Sequence, residues 1–501
     1  MQQASVHLDT HFAIAPVDPR IFSGFVEHLG RAVYEGIYDP GNPLSDRHGF
    51  RKDVIEKLRG WRMPLVRYPG GNYVSACDWK DTVGPAAQRP RRPEFAWRSI
   101  ETNQFGVDEF VDWCRALGTA PMMAVNLGTG AIGDAGQLVE YCNLPGGTHW
   151  SDRRKANGHA DPHAIKLWCL GNEMDGPWQA GHVPADVYAH RAAQAAILMK
   201  GIDKSIETVV CGSCGTGMST YMAWDRTVLE YCWPYIDYIS AHRYSANRDN
   251  DTPKFLAEGV AIDAMIEDYA AVIGYVGGLK KSKKKIYISF DEWNVWYKDT
   301  HGDGNWATAP HLCEEVYNLE DALVCAQYLS SFLRHADSVK IACIAQIVNV
   351  ISPILTKKDA LLIQSTYYPL EMFARLAQGD AIETRVDGPI INAGGMGEAP
   401  ALDASATFNE TDGAVSLFLV NRSLTDELLV KVALADRNIS GVAGAELMHH
   451  KDVKAANTWE NQNIVKPGHV TVNIDGATAT VTLPAPSFAA VQLKTTERKD
   501  G

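Results

Sequence analysis

Two glutamates sit where short apolar runs end. Glu173 closes Leu167-Trp168-Cys169-Leu170-Gly171-Asn172-Glu173, and Glu292 closes Ile286-Tyr287-Ile288-Ser289-Phe290-Asp291-Glu292. Each run reads as a buried strand of a parallel sheet. Barrel and open-sheet α/β enzymes keep their reactive groups at the carboxyl ends of such strands. Two carboxylates so placed match the needs of glycosidic-bond hydrolysis: one protonates the leaving oxygen and the other attacks the anomeric carbon. A lone glutamate after a strand is more often a salt-bridge or capping group, so the weight rests on the pair and its surroundings.

Those surroundings suit a sugar. Asn172 precedes Glu173, and its amide can bind a hydroxyl while leaving the carboxyl group free. Trp293, Trp296 and Tyr297 follow Glu292 and offer faces to the C–H side of a sugar ring. Other predicted strand ends have the same character: Glu27-His28, Arg67-Tyr68-Pro69-Gly70-Gly71-Asn72, His242-Arg243-Tyr244, and Gln346 with Asn349 close by. Amides, aromatics and acids fit a neutral polyhydroxylated ligand. Phosphate would call for clustered Lys or Arg, which these glycine loops lack.

Strand-like runs at residues 21–27, 65–68, 122–127, 166–170, 208–212, 238–242, 285–290 and 340–348 alternate with helical patterns. In the helix predicted over 107–117, Val107, Phe110, Val111, Cys114 and Leu117 share a face and Gly118 ends it. Residues 320–336 behave likewise, with Leu319, Leu323, Ala326 and Leu333 on one stripe. Eight βα units predict a (β/α)₈ barrel over residues 17–378, with an open doubly wound sheet as the alternative that strand count alone leaves standing. Residues 379–501 read as all-β, a sandwich of jelly-roll type, with turns at Thr411-Asp412-Gly413 and Asp475-Gly476. Residues 1–16, through alternating Val6, Leu8 and Phe12, add a strand to it.

The 501-residue chain is too long for one core, and its net charge of −13 disfavours nucleic acid and anionic membranes as partners. No signal core and no membrane-length apolar stretch is visible, and the ten scattered cysteines fit free thiols, so a cytoplasmic protein is expected.

Several local patterns carry less than their form suggests. Gly128-Thr129-Gly130-Ala131-Ile132-Gly133 has dinucleotide-fingerprint spacing, but it follows the third strand and lacks the acidic residue about 20 positions on. Cys211-Gly212-Ser213-Cys214 has no second cysteine pair, Pro162 disfavours a helical metal face at His159 and His163, and no serine-nucleophile elbow occurs. Lys280–Lys285 reads as a solvated lead-in to the seventh strand. No cofactor or metal is expected.

The runs Gly24-Phe25-Val26-Glu27-His28-Leu29-Gly30-Arg31, Arg67-Tyr68-Pro69-Gly70-Gly71-Asn72, Leu170-Gly171-Asn172-Glu173-Met174-Asp175-Gly176-Pro177-Trp178 and Asp291-Glu292-Trp293-Asn294-Val295-Trp296-Tyr297 resemble those of family 51 α-L-arabinofuranosidases. So do residues 96–106 and Ala345-Gln346-Ile347-Val348-Asn349-Val350, in the same order along essentially the whole chain. The resemblance implies a retaining mechanism with Glu173 as acid/base and Glu292 as nucleophile. It implies Glu27, Asn72, Asn172, Tyr244, Trp296 and Gln346 as residues binding the furanose, and a homo-oligomer, a hexamer in bacterial members. The two roles require Glu173 to hold its proton toward neutrality while Glu292 stays ionised. Leaving-group subsites are expected on the loops at 178–182 and 301–306.

Overall fold

The computed structural model describes residues 1–300 and 302–498. Residue 301 of the expected mouth loop and residues 499–501 of the expected sandwich lie outside the described residues.

Eight strands close on themselves in sequence order: β1 (Ser23–Phe25), β2 (Leu65–Tyr68), β3 (Ala120–Val125), β4 (Leu167–Leu170), β5 (Glu207–Val210), β6 (Tyr238–Ser245), β7 (Tyr287–Val295) and β8 (Val339–Ala345). Closure is carried by the parallel pairing of β8 with β1, Cys343 opposite Ser23 through Ala345 opposite Phe25. This excludes the open sheet. Helices lie between the strands, among them Val107–Leu117, whose last turn is capped by Gly118 at φ 88°.

Two strands run past their expected ends. β6 and β7 stay paired as far as Ser245 and Val295, so Glu292 lies inside a strand and opposite His242. The register against β6 moves from Ser240–Ser289 to His242–Glu292, and against β8 from Phe290–Ala342 to Trp293–Ile344. In both pairings β7 holds one extra residue around 290–292. In a regular strand, neighbouring side chains point to opposite faces; a bulge lets consecutive residues share one. Asp291 and Glu292 thereby both reach inward. At its other end β7 starts later than expected: the preceding helix ends at Lys280, and left-handed Lys281 caps it by donating its N–H to the carbonyls of Gly277 and Gly278.

A five-stranded and a seven-stranded sheet face each other across a shared apolar core that includes Val6, Leu417, Val430 and Leu493. The first two strands of the chain join these sheets. Gln2–Leu8 pairs in parallel with Leu428–Leu434, and Ala13–Pro16 pairs with Asp380–Ile382. Phe12 falls in the turn between these first two strands, its N–H donated to Asp9 O at 3.1 Å, and is 58% exposed. The alternation read through Val6 and Leu8 stops at that turn.

Helix Leu319–Arg334 is buried from Leu319 to Leu333 on every side, not on a single stripe. The sandwich covers its outer face: Arg422 Nε donates to Gln327 Oε1 at 2.8 Å, and Arg334 meets Asp403 at 3.0 Å. In the next helix, Tyr367–Leu376, the Phe373 ring stacks on Phe418 and Phe488 of the sandwich at 3.8 and 5.7 Å between centroids. Phe373→Ala is expected to cost ~3–5 kcal/mol, read as a lower denaturation midpoint; an unchanged midpoint would mean that this stack does not hold the sandwich to the barrel.

Candidate active site

The β4 run ends through Gly171 at φ 92° and Glu173 at φ 45°, turning the chain sharply so that Asn172 and Glu173 face the barrel mouth. Glu173 Oε1 lies 3.0 Å from His242 Nδ1, and Trp178 Nε1 donates to Oε2 at 3.2 Å. Across the mouth, Glu292 Oε1 accepts from Arg67 Nη1 at 2.7 Å and Oε2 accepts from the Tyr244 hydroxyl at 2.8 Å. One carboxylate oxygen of Glu173 and one of Glu292 lie within 4.8 Å of each other.

The ground beneath this pair is fully buried and charged. Arg67, 1% exposed, reaches Glu292 through Nη1 and Asn172 Oδ1 through Nη2 at 2.6 Å. His242 Nε2 lies 2.9 Å from Asp291 Oδ1, which also accepts from the Ser240 hydroxyl at 2.8 Å. Burial would drive the His242 proton off, but the charge of Glu292 and the hydrogen bonds to Asp291 and Glu173 outweigh it and push its pKa up to about 10. Burial likewise opposes ionisation of Asp291, yet the Arg67 charge and the His242 bond hold it below the usual carboxylate range. Glu173 moves the other way: its burial, with the nearby charge of Glu292, outweighs the His242 bond and raises its pKa.

A third carboxyl stands beside them. Glu27, 3% exposed, follows β1 and accepts at Oε1 from Tyr73 N at 2.8 Å and Trp97 Nε1 at 3.0 Å. Burial and the Glu292 charge push it up to about 8. Its other oxygen fills the space a side chain at Gly71 would need, since a Cβ there would lie 2.3 Å from Glu27 Oε2. Gln346 Oε1 accepts the Glu27 N–H at 2.7 Å, Asn172 Nδ2 donates to Asn72 Oδ1 at 3.4 Å, and the Trp296 ring packs edge-on to Tyr244 at 5.3 Å.

Two sequence profiles match the chain: "Alpha-L-arabinofuranosidase 1 domain" over residues 57–258 and "Alpha-L-arabinofuranosidase C-terminal domain" over residues 291–487. The chain is 45% identical to an intracellular exo-α-(1→5)-L-arabinofuranosidase of Halalkalibacterium halodurans, over 93% of this chain and 94% of that one. It is 43% identical to the intracellular exo-α-(1→5)-L-arabinofuranosidase 1 of Bacillus subtilis, over 96% and 97%. The solved structure of AbfB, a family 51 α-L-arabinofuranosidase from Bifidobacterium longum, superposes with a TM-score of 0.94 at 37% identity, covering 98% of this chain and all of that one. The chain belongs to the family 51 α-L-arabinofuranosidases.

In this arabinofuranosidase the eight residues singled out from sequence, Glu27, Asn72, Asn172, Glu173, Tyr244, Glu292, Trp296 and Gln346, gather around one mouth. Asn349 turns away, donating to Arg31 O at 2.9 Å and Thr356 Oγ1 at 2.8 Å. Three residues of the buried ground, Arg67, His242 and Asp291, had been read only as parts of strand ends. An arginine or histidine in a run gives no sign of pointing inward; the signal available was that Arg67 stands inside an otherwise apolar strand, where a buried cation needs a partner.

The glycine-rich loop holds no nucleotide cradle, because Asn126 Oδ1 already accepts the N–H groups of Gly128, Thr129 and Gly130 at 3.0, 3.0 and 3.1 Å. Ligand atoms of Glu173, His242 and Glu292 lie close enough to share a cation, as do those of Asp108, His159 and His163. Hydrogen bonds already use these atoms: His242 spans Glu173 and Asp291, and His163 meets Asp108 Oδ1 at 2.8 Å and Arg115 Nη2 at 3.4 Å.

Glu27 keeps its proton to about pH 8 when folded but only to ~4.3 in an unfolded chain. The folded state therefore holds the extra proton between those values, and this contribution to stability fades as pH rises toward 8. Glu27→Gln keeps the acceptor for Tyr73 and Trp97 without the ionisation. Titrated from about pH 5 to 8, the denaturation midpoint of the native enzyme should fall relative to that of Glu27→Gln; parallel midpoints would mean that Glu27 is already ionised.

Proposed function

We propose that this enzyme removes terminal non-reducing α-L-arabinofuranosyl residues from arabino-oligosaccharides, arabinan or arabinoxylan fragments, with retention of configuration. Ionised Glu292 attacks the anomeric carbon while Glu173 protonates the departing oxygen, giving a glycosyl-enzyme ester on Glu292. Glu173, now the base, takes a proton from water, which displaces Glu292 and releases arabinose. The observation that carries this reading is the carboxylate pair within 4.8 Å. A retaining pair stands ~5–5.5 Å apart, whereas an inverting pair leaves ~6.5–9.5 Å for a water. The roles follow from surroundings: Glu292 is gripped by a guanidinium and a phenol, and Glu173 sits where burial favours its acid form.

Glu27, Asn72, Asn172, Tyr244, Trp296 and Gln346 would bind the furanose through hydroxyl contacts and an aromatic wall. Half-exposed Trp178 and Trp306 offer faces for the leaving sugar. Relatives named for (1→5) and (1→6) exo-activity support exo-cleavage of more than one linkage within the family. A cytoplasmic location is supported by the relatives named intracellular.

Glu292→Ala is expected to abolish turnover of every arabinofuranoside. Glu173→Ala should slow poor leaving groups by ~10²–10⁴-fold, largely spare kcat/KM for activated aryl glycosides, and yield an arabinosyl azide of retained configuration when azide is added. A retained azide from the Glu292 variant would reverse the two roles. Turnover of an aryl β-xyloside equal to that of the arabinofuranoside would overturn the substrate assignment.

A further inference from the structure

We propose that Asp175 is the positioning residue that fixes the aim of Glu173, through an anchor built by the loop after β5. This rests on Glu173 being the acid/base. Glu173 has φ 45°, a left-handed conformation that residues other than glycine rarely adopt and that persists only where neighbours fix it. Its carboxyl group is committed to His242 and Trp178, so something else must hold the backbone.

Two residues on, Asp175 is 2% exposed, and each carboxylate oxygen takes two donors. Oδ1 accepts from Cys214 N at 2.9 Å and from the Cys214 thiol at 2.6 Å. Oδ2 accepts from the Ser213 hydroxyl at 2.6 Å and the Thr220 hydroxyl at 2.8 Å. Burial, with the charge of Asp175, keeps the Cys214 thiol protonated, so it remains a donor. The same sulfur stands 3.5 Å from the Glu173 carbonyl oxygen. The donor loop is itself pinned, with Ser213 N donating to Asp225 Oδ1 at 2.9 Å.

A buried carboxylate needs this many donors merely to exist. Placed two residues after Glu173, they also tie the strained turn to β5. Beyond Asp175 the segment folds back: Gly176 N donates to Glu173 O at 2.9 Å, and a Cβ at Gly176 would come 2.7 Å from the Trp178 ring. That close approach lets the Trp178 indole reach Glu173. Glu292 is held separately by Arg67 and Tyr244, so loosening the anchor impairs proton donation and leaves attack intact.

The test is kcat/KM of the full-length enzyme for aryl α-L-arabinofuranosides from the 2,4-dinitrophenyl to the phenyl leaving group, with its pH profile. For Asp175→Ala the loss should grow with leaving-group pKa, reaching ~10²-fold for phenyl while 2,4-dinitrophenyl stays within about threefold, the size of effect a displaced catalytic group produces. The alkaline limb of the profile should shift with it, and Asp175→Asn, which keeps the shape and an acceptor, should recover most of the loss. Should Asp175→Ala fail to fold, the Ser213→Ala/Thr220→Val double variant removes both Oδ2 donors and should show the same trend at smaller size. An equal loss for all leaving groups in the variant that folds contradicts the anchor. Absence of any leaving-group dependence in Glu173→Ala would instead refute the acid/base reading beneath it.

Discussion

Arg67 and His242 place two positive charges under the floor of the pocket, and the folded chain can bury them because Asp291 and Glu292 stand between them. Each buried ion costs several kcal/mol of lost hydration unless a partner and hydrogen bonds replace the water. Here the replacement is made at short range: Arg67 to Glu292 at 2.7 Å and His242 to Asp291 at 2.9 Å, with Asn172, Tyr244 and Ser240 filling further positions. Glu173 shares His242 with these anions, and Glu27 is held by the neutral donors Tyr73 N and Trp97 Nε1. Burial is the main reason that both pKa values rise, and the charge of Glu292 adds to it.

This balance depends on the bulge in β7. Without the extra residue around 290–292, Asp291 and Glu292 would point to opposite faces, and one acid would be pushed toward the surrounding helices. The bulge turns both inward, so one anion can hold His242 charged while the other reaches the mouth. The setting of Glu292 therefore traces to backbone register. The sandwich contributes from a distance, closing over the helices that follow β7 and β8 and excluding water from their outer faces.

The placement of Glu173 was legible from an apolar run ending in an acid, whereas Glu292 lies inside β7, which stays paired to Val295; the order of the pair rests on the family resemblance. The barrel was legible from eight alternating units, though only the pairing of Cys343 with Ser23 decides closure. Less could be read where three-dimensional partners set the outcome. The extension of β7 past Phe290 depends on pairing with β6, and the all-round burial of helix 319–334 depends on a sandwich distant in sequence. Asn126 gives no local sign that its side chain occupies the glycine loop's N–H groups. Arg67, His242 and Asp291 were visible as letters, but charge balance is a property of the assembled pocket.

The central claim is that burial and the neighbouring Glu292 charge raise the Glu173 pKa above that of an ordinary glutamate. Infrared difference spectra of enzyme carrying ¹³C-labelled glutamate, compared between the native chain and Glu173→Gln, test it directly. The account predicts an isotope-shifted carboxylic-acid C=O component, persisting above the ~4.3 of an unperturbed glutamate, that is lost in Glu173→Gln while the Glu27 acid component remains. A Glu173 carboxylate ionised at the ordinary glutamate pKa, so that the acid band is unchanged in Glu173→Gln, would contradict it.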